Sequence, residues 1–253
     1  MRLYQIPLLL ICLLLAVKAM SQKQDSAQRQ YHFSGAISIT NNGVSLVPTF
    51  SLGKPATIFN LSVGGERLSF EPDLRFSLEG KPWVFLFWWR YKLVKDHRLT
   101  FNVGTHPAIN FRTVVSPTDG KTSIAVRRYL AGELAPSYAL GKHFNLGLYY
   151  LYSRCLETDA ARNNHFLALN GSISNIRLGN RFLLKAMPQL YLLLQDGNKG
   201  YFTAATVTLS ARQFPLSLSS IVNKTIQSHI AGSKNWVWSL SLVYSFQRKL
   251  IRV

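Results

Sequence analysis

The chain has 253 residues, of which 47% are hydrophobic and 16% are charged, against about 25% charged in an ordinary soluble domain. This composition excludes a disordered protein, and because no apolar run beyond residue 17 approaches the about 18 to 20 residues of a membrane-spanning helix, it also excludes a helical membrane protein. The 29 Lys and Arg residues outnumber the 11 Asp and Glu residues, for a formal net charge of +18, which points to an anionic partner or surface.

The N-terminus has the pattern of a secretory signal peptide. Arg2 precedes the apolar run Ile6–Val17, and small residues follow at Ala19 and Ser21. This arrangement predicts cleavage after residue 21, with cleavage after Ala19 as the alternative. Removal of residues 1–21 takes away two basic residues, so the balance becomes 27 minus 11, or +16. The mature chain keeps Cys155 as its one cysteine, which excludes an internal disulfide.

From about residue 31 onward, apolar and polar residues alternate with a period of two, which is typical of β-strands. The clearest case is residues 67–78, in which the even positions are apolar and the odd positions are polar. Side chains of a strand point alternately to its two faces, so each segment has one apolar and one polar side. Gly, Asn, Asp and Pro at the breaks predict hairpin turns. We predict twelve strands, at about residues 44–52, 56–63, 67–78, 83–94, 98–115, 122–140, 144–156, 165–177, 181–195, 201–212, 216–228 and 235–246.

No linker or shift in composition divides these segments, so we predict one domain. The barrel or sandwich is expected at residues 44–246, followed by a basic tail at residues 247–253. Residues 22–43 are expected to be a periplasmic segment, a plug or the start of the first strand. Residues 31–40 also alternate, and counting them would give thirteen strands, whereas bacterial outer-membrane barrels have an even number.

Two all-β architectures compete, a soluble exported sandwich and a barrel in the outer membrane. Most predicted strands have ten or more residues, which favours a membrane barrel, because soluble strands have about 5 to 6 residues and membrane strands about 9 to 11. Aromatic residues on the apolar faces near strand ends favour the barrel too, since they are typical of membrane interfaces. The aromatic residues assigned to the membrane interface are Trp83, Trp89, Tyr91, Tyr150, Tyr152, Trp236, Trp238, Tyr244 and Phe246.

The last predicted strand, Trp236–Phe246, alternates hydrophobic residues and ends on an aromatic residue. It resembles the C-terminal β-signal of Gram-negative outer-membrane β-barrel proteins. The resemblance implies insertion by the outer-membrane barrel assembly machinery. Together with the hairpin series, it leads us to predict a single antiparallel, up-and-down transmembrane β-barrel of about twelve strands, integral to the cell outer membrane. The chain departs from the pattern by carrying seven residues after Phe246.

With the apolar faces toward lipid, the polar faces line the lumen. The basic residues assigned to the lumen are Arg67, Arg75, Arg90, Lys92, Arg112, Arg127, Lys185 and Arg212, and the acidic residues are Glu71, Asp73 and Glu133. Rings of Arg and Lys favour anions, so one interpretation is an electropositive pore. The alternative is a lumen plugged by ion pairs among these residues. Other basic residues are expected at the rims, where outer-membrane lipids and lipopolysaccharide offer phosphates.

The function predicted from the sequence is a small pore or binding barrel for small solutes, anionic ones in particular. The alternatives are a structural or accessory subunit of an outer-membrane complex with other envelope proteins, and an outer-membrane lipid hydrolase. The hydrolase would need His165, Asn170 and Ser172 together, but the alternation places His165 on the face opposite the other two. We therefore predict no enzyme activity, no metal or other cofactor and, because the protein is exported and its charges are interspersed, no nucleic-acid partner.

Overall fold

The computed structural model describes residues 30–115, 120 and 122–251, so the predicted signal peptide lies outside the described residues. A short 3₁₀ turn, Pro48–Phe50, accompanies twelve strands, and the described part of the chain contains no helix long and apolar enough to cross a bilayer. The strands are β1 (Gln30–Thr40), β2 (Ala56–Gly64), β3 (Leu68–Ser77), β4 (Pro82–Lys95), β5 (Leu99–Val115), β6 (Thr122–Ala139), β7 (Phe144–Cys155), β8 (Asn163–Leu178), β9 (Phe182–Gln195), β10 (Asn198–Ala211), β11 (Leu216–Ser228) and β12 (Trp236–Ile251).

The strands form one closed antiparallel barrel. Each strand pairs with its neighbours in the chain, and β1 pairs with β12 along its whole length, from Gln30 opposite Ile251 to Thr40 opposite Ser241. Pairing of the first and last strands removes the open edges that a flat sheet would have. The prediction of an all-β, up-and-down barrel of twelve strands is confirmed.

The predictions for the first strand and for the C-terminal tail are wrong. Residues 44–52 form no strand and instead lie in a loop, residues 41–55, that we call the inner loop. Pro48 lacks the N–H that a ladder needs, and the apolar side chains of the inner loop pack inside the barrel. Residues 30–40 supply the first strand, so the strand number remains twelve. β12 continues to Ile251, so residues 247–251 belong to the last strand and not to a tail.

The barrel has two different ends. The termini end holds Gln30 and Ile251 and has five short turns, at residues 65–67, 96–98, 140–143, 179–181 and 212–215. The opposite end, which we call the loop end, holds the inner loop and the loops at residues 156–162 and 229–235. Short turns at one end and longer loops at the other are typical of outer-membrane barrels.

The outward face of the barrel is apolar, with exposed Leu240 and Leu242 on β12 as examples. Eight of the nine aromatic residues assigned to the membrane interface face outward, in two groups. Trp89, Tyr91, Tyr244 and Phe246 lie in the halves of their strands nearer the termini end, and Tyr150, Tyr152, Trp236 and Trp238 lie nearer the loop end.

The assignment of Trp83 to the membrane interface is wrong. The register of β3 and β4 shifts between Arg75 and Phe76, so that Trp83 becomes an extra residue in its strand and turns inward. Its side chain is 2% exposed, and its indole N–H donates a hydrogen bond of 2.8 Å to the carbonyl oxygen of Phe50. A bulge of this kind reverses the alternation locally, so the sequence pattern alone gives the wrong face.

Candidate functional site

The lumen is narrowed at the loop end by the inner loop. Leu46 and Val47 pack against aromatic residues of β8, β9 and β10. Phe50 meets Tyr129 of β6 edge-on, with ring centroids 5.0 Å apart, and Leu52 packs against the buried cluster around β4. The inner loop therefore contacts several sectors of the wall.

Hydrogen bonds fix the inner loop in this position. Three wall side chains donate to its carbonyl oxygens: Tyr191 to Leu46 (2.9 Å), Trp83 to Phe50 (2.8 Å) and Arg112 to Thr49 (3.0 Å). Buried carbonyl groups need such partners, because an unpaired buried polar group costs about 1–3 kcal/mol. These hydrogen bonds therefore hold the inner loop in a defined position inside the lumen.

The three acidic residues predicted to line the lumen all lie on its wall and all pair with arginine. Arg90 contacts Glu71 at 2.5 Å and Glu133 at 2.6 Å, and Tyr149 donates to Glu133 at 2.7 Å. We call the wall of β3 to β6 that carries Glu71, Asp73, Arg75, Arg90 and Glu133 the charged side.

The second ion pair of the charged side joins two residues of one strand. Arg75 donates two hydrogen bonds to Asp73, at 2.9 and 2.7 Å. Two arginines therefore take up all three lumenal carboxylates of the described wall.

The pairs lie along the wall and do not cross the lumen. Arg90 lies opposite Gly104 in the register of β4 and β5, and Gly104 lies opposite Glu133 in the register of β5 and β6. A Cβ atom at residue 104 would lie 2.8 Å from Oε1 of Glu133 and 3.1 Å from Cγ of Arg90. Glycine at this position therefore leaves the space through which the Arg90–Glu133 pair spans β5. The charged residues pair with one another, as the alternative of a plugged lumen predicts, but the ion pairs run along the wall and do not cross the lumen.

Arg112 and Arg127 lie at the loop end of the lumen. Arg127 donates to the Asp159 carboxylate at 3.0 and 2.9 Å, and this hydrogen bonding holds the pKa of Asp159 below its ordinary value of 3.8. A cavity of about 550 Å³ lies between the inner loop and the strand ends here. Its lining includes Thr49, Phe50, Arg112, Arg127, Tyr129 and Gln195.

The other four bases that the sequence predicts to line the lumen fall into two classes. Lys92 and Lys185 face the lumen near the termini end, opposite Asn102 and Thr208. Arg67 and Arg212 instead lie in the hairpin turns at that end, so their assignment to the lumen wall is wrong. The guanidinium of Arg67 donates to the carbonyl oxygens of Lys92 and Leu93.

Lys249 and Arg177 also face the lumen at the termini end, although the sequence does not predict them there. Lys249 lies opposite the inward-facing His32, because the alternation continues past Phe246 into residues 247–251, for which the sequence pattern predicts a tail. Arg177 pairs with Leu183 after an irregularity in β8 between Ile173 and Ile176 shifts the alternation. Lys249 was detectable by extending the pattern, whereas the irregularity at Arg177 has no clear sequence signal.

The wall opposite the charged side carries small hydroxyl side chains. We call it the hydroxyl side, formed by inward residues of β10, β11, β12 and β1: Thr206, Thr208, Ser210, Ser217, Ser219, Ser239, Ser241, Ser34, Ser38 and Thr40. Thr208 and Ser219 lie within 3.1 Å of each other, at hydrogen-bond distance. Short neutral side chains leave room and offer both donors and acceptors.

The residues considered for a hydrolase do not come together. His165 faces outward, where its Nδ1 lies 2.9 Å from the hydroxyl of Tyr150. Asn170 and Ser172 lie on the opposite face, and the register of β7 and β8 is continuous through all three positions. In the described residues, no group of three or more His, Cys, Asp or Glu side chains is placed to hold a metal ion.

No protein-family model matches the chain, and no curated protein matches it either. Among solved structures, the KdgM porin in complex with disordered oligogalacturonate has a TM-score of 0.53 at 9% identity, covering 85% of this chain and 99% of the porin. LpxR from Salmonella typhimurium has a TM-score of 0.49 at 10% identity, covering 84% and 100%. The NanC porin has a TM-score of 0.48 at 13% identity, covering 87% and 100%. The likeness to the KdgM porin, together with the closed twelve-stranded sheet, shows that the chain has the fold of the Gram-negative outer-membrane β-barrels.

Proposed function

We propose that the protein is an outer-membrane channel for small anionic solutes. The observation that carries this proposal is the imbalance of charge in the lumen. All three carboxylates of the described wall are paired with Arg75 and Arg90, whereas the bases nearer the two openings have no such partner on the wall. An aqueous lumen with excess fixed positive charge attracts anions and repels cations.

The lumenal lysines surround the opening at the termini end. Lys92 lies on β4, Lys185 on β9 and Lys249 on β12, three strands that are spread around the twelve-stranded ring. None of the three pairs with a carboxylate among the described residues. An anion that leaves the lumen here is surrounded by ammonium groups.

At the loop end, a second charged region lines the cavity beside the inner loop, with Arg112 and Arg127 on one hand and Asp159 and Asp196 on the other. Asp159 neutralises Arg127, so the positive charge that this region offers a solute comes from Arg112. Between the two regions, the hydroxyl side offers a path lined by small polar side chains. The solute path is therefore expected to follow the hydroxyl side, past the inner loop and toward the lysines.

Two further features support this function and its location. The KdgM porin, which shares the fold, was solved with an oligogalacturonate, and galacturonate units carry carboxylates. The sequence at residues 1–21 has the pattern of a signal peptide, which supports export. The resemblance of Trp236–Phe246 to a β-signal supports insertion by the barrel assembly machinery.

The proposal is tested by reconstituting the full chain in planar bilayers under a potassium chloride gradient. We expect stable conductance with a reversal potential on the anion-selective side. Simultaneous replacement Lys92→Glu, Lys185→Glu and Lys249→Glu should shift the reversal potential toward cation selectivity, because it reverses the charge of the termini-end opening.

A matched pair of single variants controls for charge in general. Lys249→Glu places the new carboxylate in the lumen, whereas Arg248→Glu places it on the outward face of the same strand. We expect only the first variant to change selectivity. All variants are first checked for the change in gel migration on heating that marks a folded barrel. A folded barrel without conductance, or with cation selectivity in the unaltered chain, contradicts the proposal.

A further inference from the structure

A separate set of bases lies on the outward face of the barrel at the loop end. Each has an apolar cross-strand neighbour on one side: Arg128 lies opposite Ile109, Arg154 opposite Leu130, Lys199 opposite Leu194, and Lys224 opposite Trp236. On the other side, Arg154 and Lys224 lie opposite the neutral Asn163 and Thr203. Near the termini end, the outward strand positions of the described chain hold one base, Arg248, opposite Phe33. The outward face is therefore basic at one end of the barrel.

These bases border the aromatic residues nearest the loop end. Arg154 lies two residues from Tyr152, Lys199 lies two residues from Tyr201, and Lys224 pairs with Trp236. Aromatic residues of this kind mark the edge of the apolar band. A base is costly at the bilayer midplane but is tolerated near the interface. The bases are thus placed at the level of the lipid headgroups, and their long side chains reach toward water.

One of the four bases is already neutralised within the protein. Glu157 accepts hydrogen bonds from the backbone N–H and the Nε of Arg128, at 2.6 and 2.7 Å. Arg154, Lys199 and Lys224 are exposed and pair with no carboxylate in the described part of the chain. We call these three residues the outer basic belt. Among the described residues, nothing supplies their counter-charge, so they are open to an anionic ligand.

We propose that the outer basic belt binds the phosphate groups of a phosphorylated glycolipid, of the lipid A type, in the leaflet at the loop end. A phosphomonoester carries about −1.5 to −2 charges and three acceptor oxygens, and both guanidinium and ammonium groups bind it well. Acyl chains of the same lipid would pack on the apolar face just below. This inference rests on the outer-membrane location in the proposed function, but it is independent of conduction.

The experiment measures binding of fluorescent, bisphosphorylated lipid A to the purified full chain in dodecyl maltoside micelles. The test variant is Arg154→Gln, Lys199→Gln and Lys224→Gln combined. The control variant removes three bases from the other end, Lys142→Gln, Arg181→Gln and Arg248→Gln, and so has the same net charge. We expect the test variant to bind about tenfold or more weakly and the control variant to bind as the unaltered chain does.

Two lipid comparisons distinguish phosphate recognition from a general attraction. Enzymatically dephosphorylated lipid A should bind the unaltered chain and the test variant equally weakly, and phosphatidylglycerol should bind less tightly than lipid A. Equal binding of lipid A by the test variant and the unaltered chain overturns the proposal. Equal binding of lipid A and phosphatidylglycerol overturns it as well. Loss of conductance in bilayers without loss of lipid A binding would count against the channel alone.

Discussion

The two sides of the lumen differ in how their polar side chains find partners. The charged side holds long side chains that neutralise one another along the wall, as Arg90 does between Glu71 and Glu133. The hydroxyl side holds short side chains whose groups pair locally or meet water, as with Thr208 and Ser219. The comparison indicates that the charged side contributes stiffness and the hydroxyl side contributes space. Charge available to a solute therefore lies at the two openings and not in the middle of the charged side.

The largest expected difference between the two sides concerns stability. Glu133 is 3% exposed, and Glu133→Gln leaves Arg90 with Glu71 as its one carboxylate partner. Breaking a buried pair costs about 3–5 kcal/mol, and because Arg90 keeps Glu71 we expect a loss of about 2–4 kcal/mol in the free energy of unfolding. The measurement is urea unfolding in detergent, followed by gel migration of unheated samples.

Ser219→Ala on the hydroxyl side is the matched control for Glu133→Gln. It removes one hydrogen bond to Thr208 and should cost about 1 kcal/mol or less. If both variants lower the free energy of unfolding equally, the two sides do not differ in the way that we infer.

A second, smaller effect tests the passage of the Arg90–Glu133 pair across β5. Gly104→Ala places a Cβ atom 2.8 Å from Oε1 of Glu133, so the pair must shift. Overpacking of this kind costs about 1–3 kcal/mol, which the same urea unfolding would detect.

Gly132 on β6 is the control for Gly104, since a Cβ atom there would have its nearest neighbour at 3.8 Å, an ordinary contact. Gly132→Ala should therefore change the free energy of unfolding by less than about 0.5 kcal/mol. If Gly104→Ala is as stable as Gly132→Ala, the Arg90–Glu133 ion pair does not need the space that the missing Cβ atom of Gly104 leaves.

The sidedness of the charged side was predictable from the sequence, but its pairing was not. Strict alternation along residues 67–78 places Glu71 and Asp73 on the polar face, and the structure shows that face inward. The joining of Arg90 to Glu133 depends on the register of three strands and on a glycine in the middle one. Register is set by cross-strand packing and turn geometry, which a period of two does not encode.

The sequence pattern fails where the backbone leaves regular alternation. The bulge near Trp83 moves an indole from the expected lipid face into the lumen, and the irregularity before Ile176 turns Arg177 inward. Residues 44–52 alternate as a strand does, yet Pro48 and contacts with the wall make them part of the inner loop. Length and alternation identify a strand only when a neighbouring strand is available for pairing.

The smallest expected effect concerns pH and contrasts the loop-end opening with the hydroxyl side. The hydrogen bond from Arg127 holds the pKa of Asp159 below its ordinary value of 3.8, so the ion pair is intact above that value and is lost as the pH falls through the lowered one. Protonation of Asp159 frees the positive charge of Arg127 beside the loop-end cavity, and anion selectivity should rise in acid. The serine and threonine residues of the hydroxyl side do not titrate in this range.

The measurement is the reversal potential in planar bilayers as the pH is lowered from 6 to 3, in the range where carboxylates titrate. In Asp159→Asn the charge of Arg127 is free at every pH, so that variant should be more anion-selective at pH 6 and nearly independent of pH. If Asp159→Asn keeps the full pH dependence, another carboxylate causes it and the prediction is wrong. The charged side would be the next place to look, because Glu71 and Glu133 also hold an arginine that faces the lumen.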